Sequence, residues 1–114
     1  MHPYIPTSDN LQLWNVSIGS TPSAPNGAIV RFVLDDNPTD PICAALRENR
    51  MGVPDAHACI FGMMKRDHVV LDLGGHIGTF GLIAAALCKE VIIVDGSPRN
   101  VGLLRTSIRE HRKT

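Results

Sequence analysis

The sequence predicts an α/β fold with a parallel sheet, and two observations support this prediction. Residues 69–73 (VVLDL) and 91–95 (VIIVD) are short apolar runs with β-branched residues, which is typical of strands buried on both faces. Each run is followed by a helix-like stretch, over 77–88 and 97–113. Strand, helix, strand and helix within about 45 residues form a βαβα unit, whose sheet is parallel and whose crossover is right-handed.

The last predicted helix begins at a recognisable cap. Ser97 stands at the cap position and Pro98 in the first turn, where these residue types are preferred. Val101, Leu104 and Ile108 are spaced three and four residues apart. This spacing places them on one face of the helix, which we expect to pack against the core.

Two strands are predicted near the start of the chain. The runs 11–18 and 28–34 have strand-like composition. A Gly-, Pro- and Ser-rich loop separates them and is too long for a tight hairpin, so an open antiparallel pair is expected.

Two helices are predicted between this strand pair and the βαβα unit. Asp40 before Pro41 fits an N-cap followed by a first-turn proline, with a helix over 42–51. Pro54 begins a second helix that continues to about Arg66. The predicted organisation is one domain over 1–114, with a lead of strands and helices over 1–65 and the βαβα unit over 66–114.

Composition limits the partners and the compartment. The formal net charge is zero and aromatic residues are 4% of the chain, which argues against nucleic acid as a partner. The basic residues of 99–113 fit a solvated helix face better than a nucleic-acid patch. The longest apolar run is too short to span a membrane, and no secretory leader is recognisable. Three cysteines, odd in number and far apart, favour reduced thiols and a cytoplasmic location.

The loop after the first strand of the unit is rich in glycine. Asp72 is followed by Gly74, Gly75 and Gly78, in the sequence VVLDLGGHIGTFGL. Ligands of open parallel sheets bind beyond the carboxyl ends of the strands, where this loop lies. Glycine there gives clearance for a ligand, allows a positive φ and lets the helix approach the strand closely. The loop is therefore the predicted ligand site.

The residue spacing favours one class of ligand over another. A dinucleotide fingerprint requires G-x-G-x-x-G, and His76 breaks that spacing. A carboxylate at Asp72 would lie near an anionic pyrophosphate, but it suits S-adenosylmethionine, which carries a sulfonium and an ammonium group. Asp95 follows Gly74 by roughly 20 residues, the offset at which a carboxylate binds ribose hydroxyls in nucleotide-binding α/β folds.

These motifs resemble the cofactor-binding half of an S-adenosylmethionine-dependent methyltransferase, most closely the FkbM family. That family has D-x-G-A-N-x-G in the first loop, an acid followed closely by proline after the second strand, and a helix with paired leucines. The resemblance covers about residues 66–112. The matching residues are Asp72, Gly74, Gly78, Asp95, Pro98, Asn100, Leu103 and Leu104. The chain departs from the family pattern at Gly75 for Ala, His76 for Asn and Ser107 for Asn.

The resemblance implies a Rossmann-like parallel sheet of the class I methyltransferase type. It implies S-adenosylmethionine as cofactor and methylation of a hydroxyl on a small molecule, sugar or lipid. The implied cofactor-binding residues are Asp72, Gly74, Gly75, His76, Gly78, Asp95, Gly96 and Ser97. No catalytic base is assigned and no metal site is expected, with His57 and His68 interpreted as ordinary surface or boundary residues.

The family fold has seven strands, so the sheet is expected to be incomplete here. The chain is then a fragment, a split gene product or a degenerate copy. A non-catalytic remnant that binds only the cofactor or a partner is the alternative function. Unless 11–18 or 28–34 pairs with 69–73, an unpaired strand edge favours self-association of the chain.

Overall fold

The structure is a computed structural model, which describes residues 11–35, 40, 42, 45 and 53–112. It is a small α/β structure with one antiparallel strand pair and one parallel strand pair. The elements bounded within the described residues are, in chain order, β1 (Gln12–Ile18), β2 (Ala28–Leu34), α1 (Asp55–Met63), β3 (Val69–Leu73), α2 (Gly81–Ala85), β4 (Glu90–Val94) and α3 (Pro98–Arg112).

Strands β1 and β2 form the predicted antiparallel pair. Their register runs from Gln12 opposite Leu34 to Ile18 opposite Ala28. The loop between them is long, as its composition indicated, and contains a short bridge between Thr21 and Ala24. This pair is a sheet of its own and does not extend the parallel pair.

Strands β3 and β4 pair in parallel, as the βαβα pattern predicted. The register runs from Val69 opposite Glu90 to Leu73 opposite Val94, so Asp95 lies just beyond the end of β4. One expectation is wrong: these strands are not buried on both faces. Side chains alternate between half-buried and exposed, and Leu73 is 72% exposed. Among the described residues, helices cover one face of this pair and no element covers the other.

Helix α2 is much shorter than the predicted helix over 77–88. Gly78 has φ +99°, a left-handed backbone that no right-handed helix can contain. The regular helix therefore begins at Gly81. It ends after Ala85, where i→i−3 hydrogen bonds from Ala86 and Leu87 tighten the last turn.

Helix α3 begins as predicted. Ser97 Oγ accepts a hydrogen bond from the backbone N–H of Asn100 at 3.3 Å, and this satisfies a donor of the first turn. Farther along α3, Ser107 and His111 lie beside β2. Ser107 Oγ accepts from the N–H of Val33 at 2.8 Å, and His111 Nε2 lies 3.1 Å from both the N and the O of Arg31. Polar side chains of α3 thus bind the edge of β2 that β1 leaves open.

The other predicted helices are described in part. Asp40 Oδ1 accepts from the N–H of Ile42 at 2.9 Å, which is the expected N-cap contact. Ile42 and Ala45 are helical, and the remainder of the helix predicted over 42–51 lies outside the described residues. The second helix is α1, which ends at Met63, a few residues earlier than expected.

One apolar core joins the two sheets. Side chains from β2, α1, α2, α3 and the glycine loop meet in it; the larger ones are Val30, Phe32, Val33, Leu34, Phe61, Met64, Ile77, Leu82, Ile83, Leu87, Leu103 and Leu104. Cys88 is buried beside this core, and Cys59 is exposed. Among the described residues, no helix has the length and apolarity to cross a membrane.

Candidate functional site

The predicted site residues meet at the carboxyl edge of the parallel pair. The backbone N–H groups of Gly74 and Gly75 both donate to the carbonyl oxygen of Val94, at 2.8 and 3.1 Å. These bonds fix the start of the loop after β3 against the end of β4. Because the strands are parallel, the loop over 74–78 and the residues after Asp95 lie side by side.

Two glycines at this edge face open space. Gly74 has φ +77°, and a Cβ added there would meet no atom within 4 Å. A Cβ added at Gly96 would also meet nothing within 4 Å. A ligand could therefore approach the backbone at both positions, which is the clearance predicted for the first glycine.

The other two loop glycines leave room for the chain's own side chains instead. A Cβ at Gly75 would collide with the side chain of Ile93 and lie 3.0 Å from Asp72 Oδ2. A Cβ at Gly78 would lie 2.6 Å from Leu82 Cγ and 2.8 Å from Leu104 Cδ1. These glycines permit close packing of the loop on β4 and on the helices.

Asp72 points toward the helix-covered face of the sheet, opposite Ile93 in register. Its Oδ2 atom is buried and has no hydrogen-bond partner among the described residues. Burial raises the pKa of this carboxyl above its usual value of 3.8; a nearby His57 acts in the opposite direction, and Asp95 adds to the rise. Asp72 is thus an acid held beneath the glycine loop with one oxygen unsatisfied.

The pKa of Asp95 is shifted in the opposite direction to that of Asp72. Burial disfavours its charge, but hydrogen bonds outweigh burial, so the pKa of this carboxyl lies below 3.8. The donors are the backbone N–H groups of Ser97 (2.9 Å) and His76 (2.8 Å) and the amide of Asn100 (3.2 Å). Asp95 therefore joins the glycine loop to the start of α3. A carboxylate has about four acceptor sites. These three donors leave about one site free to accept a hydroxyl group of a ligand.

His76 is one of the three departures from the FkbM pattern, and it makes two hydrogen-bonding contacts. It has φ +55°, in the left-handed region that Asn, Asp and His tolerate best after glycine. Its backbone N–H binds Asp95, and its ring Nε2 lies 3.2 Å from Asp40 Oδ2. Its Nδ1 atom is buried without a hydrogen-bond partner in the described part of the chain.

Asp40 belongs to a charge cluster that sequence spacing did not indicate. Arg99 Nη1 donates to Asp40 Oδ2 at 2.5 Å. The same guanidinium donates from Nε and Nη2 to both oxygens of Asp35, a bidentate pairing that fixes its orientation. Arg99 is therefore ion-paired and is no part of a solvated basic face. Asp40 precedes His76 by 36 residues, so no local pattern predicts their contact.

His57 is a second residue whose setting the sequence did not reveal. Its ring packs edge-on against Phe80 and Phe61, with centroids 5.2 and 6.2 Å apart. Its Nδ1 is buried without a hydrogen-bond partner among the described residues. The ring lies close enough to Asp72 to lower the pKa of that carboxyl against the effect of burial. The only sequence signal for this packing is the four-residue spacing of His57 and Phe61, which places both side chains on one face of a helix.

The arrangement suits a ligand with cationic and hydroxyl groups. Two carboxylates lie at or beneath an edge that two glycines leave open. Within the described residues, no group of three or more His, Cys, Asp or Glu side chains could hold a metal ion. No family model, no curated protein and no solved structure matches the chain.

Proposed function

We propose that the chain binds S-adenosylmethionine at the carboxyl edge of β3 and β4 and belongs to a methyltransferase that methylates a hydroxyl of a small molecule, sugar or lipid. The observation that carries this proposal is the register of the parallel pair. It sets Asp95 beside the glycine loop, with open space at both Gly74 and Gly96. This geometry agrees with the spacing that underlies the resemblance to the FkbM family.

The named residues fit the cofactor chemically. Asp95 can accept a ribose hydroxyl through its one remaining acceptor site. Asp72, buried with an unsatisfied oxygen, favours positive charge at the edge above it. Open backbone at Gly74 allows the ligand to lie against the strand end. S-Adenosylmethionine supplies an activated methyl group, so the protein's main contribution is alignment of the acceptor oxygen with it.

A second candidate is a module that binds the cofactor or a partner without catalysis. The described part of the parallel sheet has two strands, β3 and β4. Both oxygens of Asp95 also have contacts that serve folding, with Ser97 and with His76. A methyl-transfer assay with radiolabelled cofactor and a panel of hydroxyl acceptors separates the two candidates, since only the first predicts labelled product.

Titration calorimetry with S-adenosylmethionine and its demethylated product tests the binding site. We expect wild type to bind and Asp95→Asn to bind more weakly, because one acceptor oxygen becomes a donor. Gly74→Val should abolish binding, since a branched Cβ fills the open approach and disfavours the positive φ. Gly19→Val is the matched control, because Gly19 lies in the connection between β1 and β2 and a Cβ added there also meets no atom within 4 Å.

The same titration with NAD tests the ligand class. We expect no preference for NAD, because the glycine spacing and the acid at Asp72 disfavour a pyrophosphate. Tighter binding of NAD than of S-adenosylmethionine would overturn the assignment.

In the titration with S-adenosylmethionine, equal binding heats for wild type and Asp95→Asn would show that Asp95 does not contact the ligand.

A further inference from the structure

We infer that Asp40 is a positioning residue for the glycine loop: through the ring of His76 it holds residues 74–78 in the conformation that leaves the carboxyl edge open. The inference extends the proposed function, because it adds an acid from outside the βαβα unit to the cofactor site. It depends on one juxtaposition, the 3.2 Å contact between His76 Nε2 and Asp40 Oδ2.

His76 is held from two sides. Its backbone N–H donates to Asp95 at 2.8 Å, and its ring reaches Asp40 in the other direction. A non-glycine residue with φ +55° persists only where its surroundings determine the conformation strongly. The loop glycines on either side, Gly74 and Gly78, also have positive φ and little conformational preference of their own. The side chain of Ile77 fixes the loop in the apolar core, and His76 is the loop residue whose polar side-chain contact can set the shape of the rest.

Asp40 is held in place by hydrogen bonds to both of its carboxylate oxygens. It is 7% exposed, and a buried carboxylate is tolerated only when it is paired. Its Oδ2 accepts from Arg99 at 2.5 Å, while its Oδ1 accepts from the N–H of Ile42. Arg99 is itself fixed by its two-pronged pairing with Asp35. Displacing Asp40 would break several charge-assisted bonds, so the ring of His76 has a fixed partner.

Two substitutions break the contact, and comparing them separates it from the pairing of Asp40 with Arg99, which His76→Asn leaves intact. His76→Asn keeps a residue type that tolerates positive φ and keeps the backbone N–H that binds Asp95, but its side chain is too short to reach Asp40. Asp40→Asn keeps an oxygen for the N–H of Ile42 and removes the charge. Arg109→Gln serves as the control for a surface change on α3, because Arg109 is exposed and donates only to Thr106 among the described residues.

The first readout uses the ligand-free protein. Amide hydrogen exchange measured by NMR reports on Gly75 and Gly78, whose N–H groups donate to Val94 and Gly75 carbonyls. We expect exchange at both amides to rise at least tenfold in Asp40→Asn and in His76→Asn, with amides of β1 and β2 unchanged. We also expect the ring 15N signals of His76 to shift in Asp40→Asn. Unchanged loop exchange in both variants would overturn the inference.

The second readout is affinity for S-adenosylhomocysteine. We expect each single variant to weaken binding about tenfold and the double variant to weaken it no further, because both changes break the same contact. Losses that multiply to about a hundredfold would show that the two residues act independently and would also overturn the inference. If wild type binds none of this ligand, the proposed function fails, and the exchange readout alone decides the role of Asp40.

Discussion

Gly74 and Gly78 share a left-handed backbone, yet a side chain would meet different surroundings at each. At Gly74 an added Cβ would lie in open space, whereas at Gly78 it would press on Leu82 and Leu104. The cost at Gly74 is backbone strain alone, and the cost at Gly78 is strain plus overpacking.

We therefore expect Gly78→Ala to lower the free energy of unfolding more than Gly74→Ala does, by about 1–3 kcal/mol, the usual cost of overpacking. Urea denaturation of both variants and wild type measures the difference. Equal losses in the two variants would show that the chain relaxes around the new methyl group and that only the φ angle matters.

The two site acids give opposite dependences of stability on pH. The pKa of Asp72 is raised in the folded chain, so folding favours the protonated carboxyl. The stability that this carboxyl contributes is fully present below pH 3.8 and is lost as the pH rises through the folded pKa. The pKa of Asp95 is lowered, so its contribution is present above pH 3.8 and is lost as the pH falls through the folded pKa.

We expect Asp72→Asn to become more stable relative to wild type as the pH rises above 3.8. We expect Asp95→Asn to be less stable than wild type at neutral pH, with the gap closing below pH 3.8. Denaturation curves over about pH 3 to pH 7 check both signs. If the stability of both variants relative to wild type changed with pH in the same direction, this result would contradict the opposite pKa shifts of the two carboxyl groups.

At the scale of single residues, the sequence predicted contacts between near neighbours but not contacts between residues far apart in the chain. The caps formed by Ser97 and Asp40 were predictable because a cap is a contact between near neighbours. The pairing of Asp40 with His76 and Arg99 was not, since it joins residues far apart in sequence. The inward orientation of Asp72 also depends on which face of β3 the helices cover.

At the scale of elements, α3 closes the free edge of β2. Ser107 is 1% exposed and accepts the N–H of Val33, and His111 contacts the backbone of Arg31. Unpaired strand edges invite pairing with other chains, and side chains that bind the edge prevent it. Helix α3 thus protects one sheet edge with polar side chains in place of a third strand.

Ser107→Ala should lower the free energy of unfolding by about 1–3 kcal/mol, because the buried N–H of Val33 would lose its acceptor. Ser17→Ala on the exposed side of β1 is the matched control and should change stability by less than about 0.5 kcal/mol. Thermal or urea unfolding of the three proteins gives the comparison. A loss at Ser107 no larger than at Ser17 would mean that water replaces the hydroxyl.

At the scale of the whole molecule, the parallel pair is incompletely covered. The pair β1–β2 is a separate sheet, so within the described residues β3 has one strand neighbour, β4. The uncovered face carries large apolar side chains, all about half exposed or more: Val69, Leu71, Leu73, Ile92 and Val94. An unpaired edge beside an apolar face favours association with a second copy of the chain.

We expect the chain to self-associate and Leu71→Lys to reduce that association, since a charge on the uncovered face opposes its burial. Ile29→Lys is the matched control: Ile29 on β2 is 68% exposed, similar to Leu71 at 61%. Sedimentation velocity over a range of concentrations measures the effect. A monodisperse wild-type monomer at high concentration would contradict the expectation.

By itself, the sequence determined the strands β1 to β4, the start of α3 and the presence of two acids beside a glycine loop. These features depend on local patterns: apolar runs, caps and turn residues. Parallel pairing then followed from the order of strand and helix, and with it the meeting of the loop and Asp95 at one edge.

Only the tertiary structure decided which face of β3 and β4 is covered, how short α2 is, and which residues surround His76. Each depends on packing between segments distant in sequence. Left-handed φ angles in the loop delay the start of α2 to Gly81, and i→i−3 hydrogen bonds end it after Ala85. The cluster of Asp35, Asp40 and Arg99 exists because folding brings the end of β2 against the start of α3, and charges buried there must pair.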